Sequence, residues 1–240
     1  MRDENFVLIT GSGRRVGRSF ALYLAEKGFN IALHYNTSEK EAESVALEIE
    51  KLGRKVILIK ANLIDEDEVK TIVPTLLKQG KLGSLINNAA IFEKADWQQT
   101  NVEIWNRHLA INLTAPFLLS QAFANSLTSS ERGKIVNILD WKIERTNPTH
   151  LPYIVSKNAL ASLTKELALS LANRVEVNGI ALGAVLPPVD GSANSNLIDE
   201  IPLKRWATLN EVNETLLFLL TGPSYITGEI IKVDGGRHLI

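Results

Sequence analysis

The chain has 240 residues, of which 45% are hydrophobic and 22% charged, and its formal net charge is −1. This composition is typical of a folded globular protein and excludes a disordered or collagen-like chain. The balanced charge gives no overall attraction to nucleic acid or to an anionic membrane, and the lack of cysteine excludes disulfides and thiolate metal sites. Because the first apolar run, 6–10, is too short for a signal peptide or a spanning helix, we expect a cytoplasmic protein.

Short apolar and β-branched runs predict seven strands. In chain order they are 6–10, 30–35, 56–61, 84–88, 134–139, 176–180 and 230–233. Fully apolar strands suit a parallel sheet that is covered on both faces, and segments with helical spacing lie between them. The alternation predicts one α/β domain over 1–240, a doubly wound Rossmann fold whose seven-stranded parallel sheet carries helices on both faces and binds ligands at the carboxyl ends of the strands.

Local signals refine the predicted helices and one loop. Three pairs resemble capping boxes, Ser38 with Glu41, Asp65 with Glu68 and Thr100 with Glu103. Interior prolines are predicted to kink two helices, at Pro74 and Pro116. The stretch 182–196 is long and rich in proline and small residues, so it is predicted to be a lid over the substrate, with Leu186 and Pro187 as its apolar wall.

A glycine-rich turn, Thr10-Gly11-Ser12-Gly13-Arg14-Arg15-Val16-Gly17, lies between the first strand and the first helix. Glycines let the backbone approach a pyrophosphate, whose charge the amide hydrogens at a helix N-terminus stabilise. A plain strand-to-helix turn is the alternative interpretation. The motif predicts a dinucleotide site.

The second strand ends in His34-Tyr35-Asn36-Thr37-Ser38, with no acidic residue before Glu39. An acidic residue there would bind the ribose of NAD, whereas an imidazole, hydroxyls and the nearby Arg14 favour a 2′-phosphate. We therefore predict NADPH as the cofactor. Ser38 could instead serve only as the cap of the next helix.

Tyr153 and Lys157 are four residues apart and so share one face of a predicted helix. A phenol is a poor acid at neutral pH unless a nearby cation stabilises the phenolate, which a lysine one turn away can do. Tyr153 could then donate a proton to a substrate that receives a hydride. The alternative for such a pair is an exposed helix face.

Six motifs together resemble the short-chain dehydrogenase/reductase family over the whole length of the chain. They are the turn 10–17, Asn87-Asn88-Ala89-Ala90, Asn112, Tyr153 with Lys157, Val177-Asn178, and Asp234-Gly235-Gly236. The resemblance implies that Tyr153 is the general acid, that Lys157 holds the nicotinamide ribose and lowers the tyrosine pKa, and that Asn112 supports a water-linked proton relay. It also implies a homotetramer and further cofactor contacts from Asn62, Leu63, Asn88, Ala89, Ala90, Gly183 and Val185.

Two departures from the family pattern point to its pteridine reductase branch. The family usually has glycine at Arg15 and serine at Asp140, and it usually has aspartate at Asn62 and proline at Leu182. In the pteridine reductases Arg15 and Asp140 occur together, as do an aromatic residue at Phe92 and the spacing from Asp140 to Tyr153. That branch implies a pterin that stacks on Phe92 and contacts Arg15, Asp140, Tyr153 and Leu186.

The chemistry of Asp140 agrees with this branch, because a serine hydroxyl donates a hydrogen bond to a carbonyl oxygen while an ionised aspartate only accepts. The first hypothesis is thus an NADPH-dependent reductase of a C=N bond in a pterin or dihydrofolate-like ring. The second is a carbonyl reductase of the same fold, acting on a ketoacyl thioester or a sugar, and the third is a non-catalytic NADPH-binding regulator. The four histidines show no ligand spacing, so no metal is predicted.

Overall fold

A computed structural model describes residues 5–186 and 195–240, and within them seven strands form one parallel sheet. The strands are β1 (Asn5–Ile9), β2 (Asn30–Tyr35), β3 (Val56–Lys60), β4 (Lys81–Asn87), β5 (Gly133–Asp140), β6 (Val175–Leu182) and β7 (Ile230–Val233). Their order is β3-β2-β1-β4-β5-β6-β7. The order reverses between β1 and β4, which opens a crevice at the carboxyl ends of the central strands. The predicted fold class is confirmed.

Helices cover both faces of this sheet. They are α1 (Arg15–Glu26), α2 (Glu39–Lys51), α3 (Glu66–Leu77), α4 (Val102–Leu109), α5 (Ala115–Ser126), α6 (Leu151–Ser170) and α7 (Leu209–Thr221). Side chains of α1, α2 and α7 pack on one face with Val7 and Ile9 of β1, while α3, α5 and α6 pack on the other with Phe6 and Leu8. Alternate residues of each central strand therefore serve two apolar layers, which is why its sequence is apolar throughout.

The structure corrects part of the predicted capping. Asp65 caps α3, since its carboxylate accepts from the amides of Asp67 (2.9 Å) and Glu68 (3.3 Å). Ser38 precedes α2 without a side-chain capping bond. The prediction at Thr100 is wrong by one residue, because Asn101 caps α4 and the Thr100 hydroxyl donates instead to the carbonyl of Asp96.

The two prolines are accommodated differently. α3 continues through Pro74, so this proline does not end the helix. Pro116 lies in the first turn of α5, directly after a π-helical turn at Ala110–Thr114. The amide of Ala115 bonds the carbonyl of Ala110, and this wider turn joins α4 to α5 at the position of Asn112.

Most of the predicted lid, 187–194 with Pro187, lies outside the described residues. On its near side β6 extends to Leu182, and Leu186 is half-buried. On its far side a 3₁₀ helix, Ser195–Glu200, begins. Among the described helices, none is both long and apolar enough to span a bilayer.

Candidate active site

The glycine turn is shaped by close backbone approach. Gly11 has a φ of 64°, in the left-handed region that glycine adopts without strain. A Cβ atom on Gly17 would lie 2.3 Å from the carbonyl oxygen of Gly11, so only glycine fits at the start of α1. The turn thus brings bare backbone and a helix N-terminus to the carboxyl edge of the sheet, which is the arrangement that binds a pyrophosphate.

Arg15 stands in the same turn with a φ of 52°. This left-handed conformation costs a residue with a Cβ about 1–2 kcal/mol, which explains why glycine is usual at this position in the family that the chain resembles. The Arg15 side chain is exposed and lines the cavity beside the turn. A strained backbone conformation is therefore kept at a position where a guanidinium faces the site.

His34 lies behind the turn instead of on its open side. Its Nδ1 accepts from the amide of Gly11 at 3.1 Å, and its Nε2 lies 3.1 Å from the carbonyl oxygen of Ala61. The ring is therefore neutral with its proton on Nε2, and burial lowers its pKa from 6.5 to about 4. This geometry gives His34 a structural role, holding the turn to β2 and β3, in place of the predicted contact with a 2′-phosphate.

The residues after β2 are arranged around ion pairs. Asn36 and Thr37 are exposed, and Ser38 is half-buried. Arg14, predicted to bind the 2′-phosphate, forms an ion pair with Glu41 in the first turn of α2. Three more residues predicted to contact the cofactor lie at the ends of β2 and β3. Tyr35 donates to Glu39, the Asn62 side chain lies 3.5 Å from the Asn36 amide, and Leu63 is buried.

Asn88 ties the end of β4 to the turn. Its side-chain amide donates to the carbonyl oxygens of Thr10 (2.8 Å) and Gly11 (3.2 Å). The amides of Asn88 and Ala89 both donate to the hydroxyl of Thr10, at 2.9 and 3.0 Å. Ala90 follows at the surface of the cavity. Side chains that directly follow β1 and β4 thus join the two sides of the central crevice.

The proposed chemical groups meet across the ends of β5 and α6. The Tyr153 hydroxyl donates to Oδ2 of Asp140 at 2.8 Å, and Oδ1 of Asp140 accepts from the amide of Lys142 at 2.9 Å. Burial and the negative charge of Asp140 raise the pKa of Tyr153 well above its usual value. Asp140 therefore favours the protonated form of Tyr153, and it also caps the turn that follows β5.

Lys157 lies one helical turn beyond Tyr153 and is 4% exposed. Its ammonium donates to the carbonyl oxygen of Ile138 at 2.7 Å. Burial lowers its pKa to about 8, against the raising effect of Asp140. The predicted pair is thus buried and does not lie on an exposed helix face.

Asn112 is fully buried in the π-helical turn between α4 and α5. Its side chain accepts from the amide of Ile91 at 2.9 Å and donates to the carbonyl of Ile91 and to the hydroxyl of Ser156, at 3.1 and 3.0 Å. No hydrogen bond among the described residues joins Asn112 directly to Tyr153 or Lys157. Its side chain fixes α6 and the segment after β4, and the water-linked relay stays a prediction.

Phe92 lies beside the tyrosine, with ring centroids 4.7 Å apart in an edge-on arrangement. Two residues that the sequence reasoning missed accompany it. The His150 imidazole is stacked on Phe92 at 4.2 Å with an angle of 9° between the planes, and Nζ of Lys142 lies 5.0 Å from the Phe92 centroid. Only their positions in the sequence could have indicated them, because His150 precedes Tyr153 by one helical turn and Lys142 follows Asp140 by two residues.

A cavity of about 410 Å³ connects the glycine turn with the Asp140–Tyr153 pair. It is lined by Gly11, Arg14, Arg15, Val16, Gly17, Asn88, Ala89, Ala90, Ile138, Leu139, Asp140, Tyr153, Lys157, Leu182 and Gly183. At its far wall Gly183 passes so close to β7 that a Cβ atom would lie 2.6 Å from Cα of Asp234, and Val185 packs against the core nearby. The glycine cradle, the helix N-terminus and the buried lysine together fit a dinucleotide.

No group of three or more potential metal ligands occurs within the part of the chain that the structure describes.

The fold and the site together define a dinucleotide-binding α/β protein with a tyrosine–lysine pair at the end of its cofactor cleft. A family model described as Enoyl-(Acyl carrier protein) reductase matches residues 11–238. The chain belongs to the short-chain dehydrogenase/reductase family, and it is an oxidoreductase.

Among curated relatives, the chain is 32% identical to the 3-oxoacyl-acyl-carrier-protein reductase FabG of Staphylococcus aureus over 246 residues, which cover 100% of both chains. Among solved structures it is similar to the FolM alternative dihydrofolate reductase 1 of Brucella canis in complex with NADP, with 33% identity, a TM-score of 0.93 and coverage of 100% and 96%. The same protein of Brucella suis, also with NADP, gives 32% identity, a TM-score of 0.95 and coverage of 100% and 97%.

Proposed function

We propose that this protein is an NADPH-dependent reductase of the C=N bond in a dihydropterin or dihydrofolate-like ring. The observation that carries the proposal is the 2.8 Å hydrogen bond from the Tyr153 hydroxyl to Asp140. An ionised carboxylate only accepts hydrogen bonds, so Asp140 offers a hydrogen-bond acceptor beside Tyr153. Reduction of a ketone would instead need a second donor to the carbonyl oxygen at this position. A ring with N–H groups supplies the donors that such an acceptor requires.

NADPH as cofactor is supported by the solved relatives, both of which are complexes with NADP. The glycine turn with Arg14, Arg15 and Val16 would hold its phosphates, and Lys157 would hold its ribose. When bound, NADPH supplies the hydride for the reduction. The chain's own residues supply the proton and the environment in which it moves.

Tyr153 is the proposed proton donor, and Asp140 orients its hydroxyl. The O–H bond of Tyr153 breaks as an N–H bond forms on the substrate nitrogen, which leaves a phenolate in a buried site. Burial and Asp140 oppose that charge, since both raise the pKa of Tyr153. The ammonium of Lys157, on the same helix face, stabilises the phenolate and so makes the transfer feasible.

The alternative is a carbonyl reductase of the same family, and the similarity to FabG of Staphylococcus aureus favours it. The substitution Asp140→Ser separates the two functions. It restores a donor for a carbonyl oxygen and removes the acceptor for a ring N–H, so pterin reduction should fall at least about tenfold while ketone reduction rises or appears.

The experiment follows NADPH absorbance with dihydrofolate, a dihydropterin and a 3-ketoacyl thioester, for the parent protein and the Asp140→Ser variant. Melting temperatures are measured alongside, because Asp140 also caps the turn at Lys142. Turnover of the thioester but not of either pterin by the parent protein would overturn the proposal. Unchanged pterin turnover in a stably folded Asp140→Ser protein would remove its main support.

A further inference from the structure

Basic side chains lie around the Phe92 ring, which contacts Tyr153, outside the groups used for catalysis. Nζ of Lys142 lies 5.0 Å from the centroid of the Phe92 ring, and His150 is stacked on that ring at 4.2 Å. Lys94 lies in the segment that is bonded to the start of α6, where the amide of Ala95 donates to the carbonyl of Thr149 at 3.0 Å, and the positive charge of Lys94 acts on His150. We call Lys94, Lys142 and His150, with Phe92 between them, the basic rim.

The rim has a net positive charge at neutral pH. Burial lowers the pKa of His150, and the positive charges of Lys142 and Lys94 lower it further, against the raising effect of Asp140. The two lysines carry the positive charge of the rim. His150 keeps its proton on Nδ1, because the Thr149 hydroxyl uses its own hydrogen on Asn147 and can only accept from the imidazole.

Four carboxylates lie close in sequence to the rim, and each has other partners. That of Asp96 accepts from the amides of Gln98 and Gln99. Glu93 pairs with Arg107 at 2.6 Å, and Glu144 pairs with Lys232 at 2.7 Å. Asp140 is used by the Tyr153 hydroxyl and by the amide of Lys142. Within residues 5–186 and 195–240, no carboxylate forms an ion pair with Lys94 or Lys142. Among the described residues, neither ammonium group is therefore committed to an ion pair, and the negative charge of Asp140 acts on the same region.

We propose that Lys94 and Lys142 form a subsite for the carboxylates of a substrate tail, so that the enzyme prefers a dihydrofolate, which carries a glutamyl tail, over an uncharged dihydropterin. The proposal rests on the proposed function and specifies its substrate. Phe92 places the subsite next to the reacting ring, because the Phe92 ring contacts both Tyr153 and the Lys142 ammonium. Partly exposed ammonium–carboxylate contacts of this kind favour a charged substrate by about tenfold in total.

The test compares two substrates with the same reacting ring, 7,8-dihydrofolate and 7,8-dihydrobiopterin, at saturating NADPH. The double variant Lys94→Met/Lys142→Met keeps the length and apolar stem of both side chains and removes both charges. We expect kcat/KM for dihydrofolate to fall about tenfold, mainly through KM, and kcat/KM for dihydrobiopterin to stay within about twofold. Raising the salt concentration should reduce the parent protein's preference for dihydrofolate, because the contacts are partly exposed.

Two controls separate charge from folding. Lys165→Met removes the same charge from an exposed position of α6, twelve residues beyond Tyr153 and so about 18 Å along the helix, and should leave both substrates unaffected. Lys94→Arg/Lys142→Arg keeps the charges and should restore dihydrofolate turnover to within about threefold of the parent value. Melting temperatures of all variants are compared with that of the parent protein.

The outcomes distinguish this subsite from the proposed function. Turnover of both substrates by the parent protein, with an equal loss or no loss in the double methionine variant, would overturn the subsite and leave the reductase function standing. Absence of turnover with either substrate would overturn both. A selective loss of dihydrofolate turnover that the arginine variant reverses would support the subsite.

Discussion

The hydroxyl of Tyr153 is the proton donor in the proposed reaction, and its only hydrogen-bond partner among the described residues is Asp140. We predict that Tyr153→Phe reduces turnover about 10²–10⁴-fold, because it removes a positioned general acid. NADPH affinity should change little, since the phenyl ring keeps the shape of the cavity wall. Steady-state kinetics and a fluorescence titration with NADPH measure the two effects, and full activity in a folded Tyr153→Phe protein would rule out the proton-donor role.

His34 provides a prediction about pH and stability. Its pKa is lowered from 6.5 to about 4 by burial, so between these values the unfolded chain binds a proton that the folded protein does not. Stability from this residue is complete above pH 6.5 and is lost as the pH falls toward 4, by about 3 kcal/mol in total. Denaturant unfolding at a series of pH values should show this decline.

His34→Gln is the matching variant, because a glutamine amide can accept from Gly11 and donate to Ala61 without titrating. We expect a lower stability at pH 7 from imperfect packing, but a flatter pH dependence between 6.5 and 4. An equally steep decline in the variant would show that other groups are responsible.

The positions of the side chains in the candidate site could be predicted only in part from the sequence. The motif residues predicted Tyr153, Lys157 and Asp140 as neighbours, since strand ends and helix starts meet at one edge of a parallel sheet. They could not predict that His34 points behind the turn, because one residue of strand register decides which way a side chain faces. Nor could they predict the stacking of His150 on Phe92, which depends on how two loops lie against each other.

The connection from β2 to α2 determines how the cofactor's 2′-phosphate would be received. Arg14 is the cation predicted to bind that phosphate, and it is paired with Glu41 in the first turn of α2. A phosphate has to compete with this carboxylate for the guanidinium. We predict that Glu41→Gln lowers the Kd for NADPH by about three- to tenfold and leaves the Kd for NADH nearly unchanged.

Isothermal titration with both cofactors measures this effect, and Glu48→Gln is the control. Glu48 pairs with Arg18 on the same two helices at 2.9 Å, so its loss removes a comparable exposed ion pair without involving Arg14. An equal gain of affinity for NADPH and NADH, or the same gain in the control, would contradict the role of Arg14.

At the level of strands and helices, the apolar runs were sufficient to predict the fold. The predicted bounds and caps were wrong where polar residues belong to a strand or begin a helix. All seven predicted strands are present in the described residues, but β4 begins at Lys81, three residues earlier than predicted, because Lys81 and Gly83 do not read as strand. The capping error at Thr100 has the same origin, since Thr100 and Asn101 are both good caps and only the surrounding turn selects Asn101.

Exposed apolar side chains on α5 and α6 bear on the assembly of the whole molecule. Phe117 and Val155 are each 39% exposed, and Leu169 is 79% exposed. Together with the homotetramer that the family resemblance implies, they predict a particle of about four times the 26.5 kDa chain mass in sedimentation. Phe117→Asp should shift the particle to a smaller species, and a parent protein that sediments as a single chain would contradict the tetramer.

The pairing of Ala95 with His150 has a consequence for the motions of the enzyme. Backbone bonds from Ala95 to Thr149 (3.0 Å) and from Leu151 to Ala95 (2.9 Å) fasten the segment after β4 to the start of α6. We therefore expect Phe92, His150 and Tyr153 to keep their relative positions when a substrate enters the site. In hydrogen exchange, the amides of Ala95 and Leu151 should exchange more slowly than the unbonded amides of the same loops, whether or not a substrate is bound.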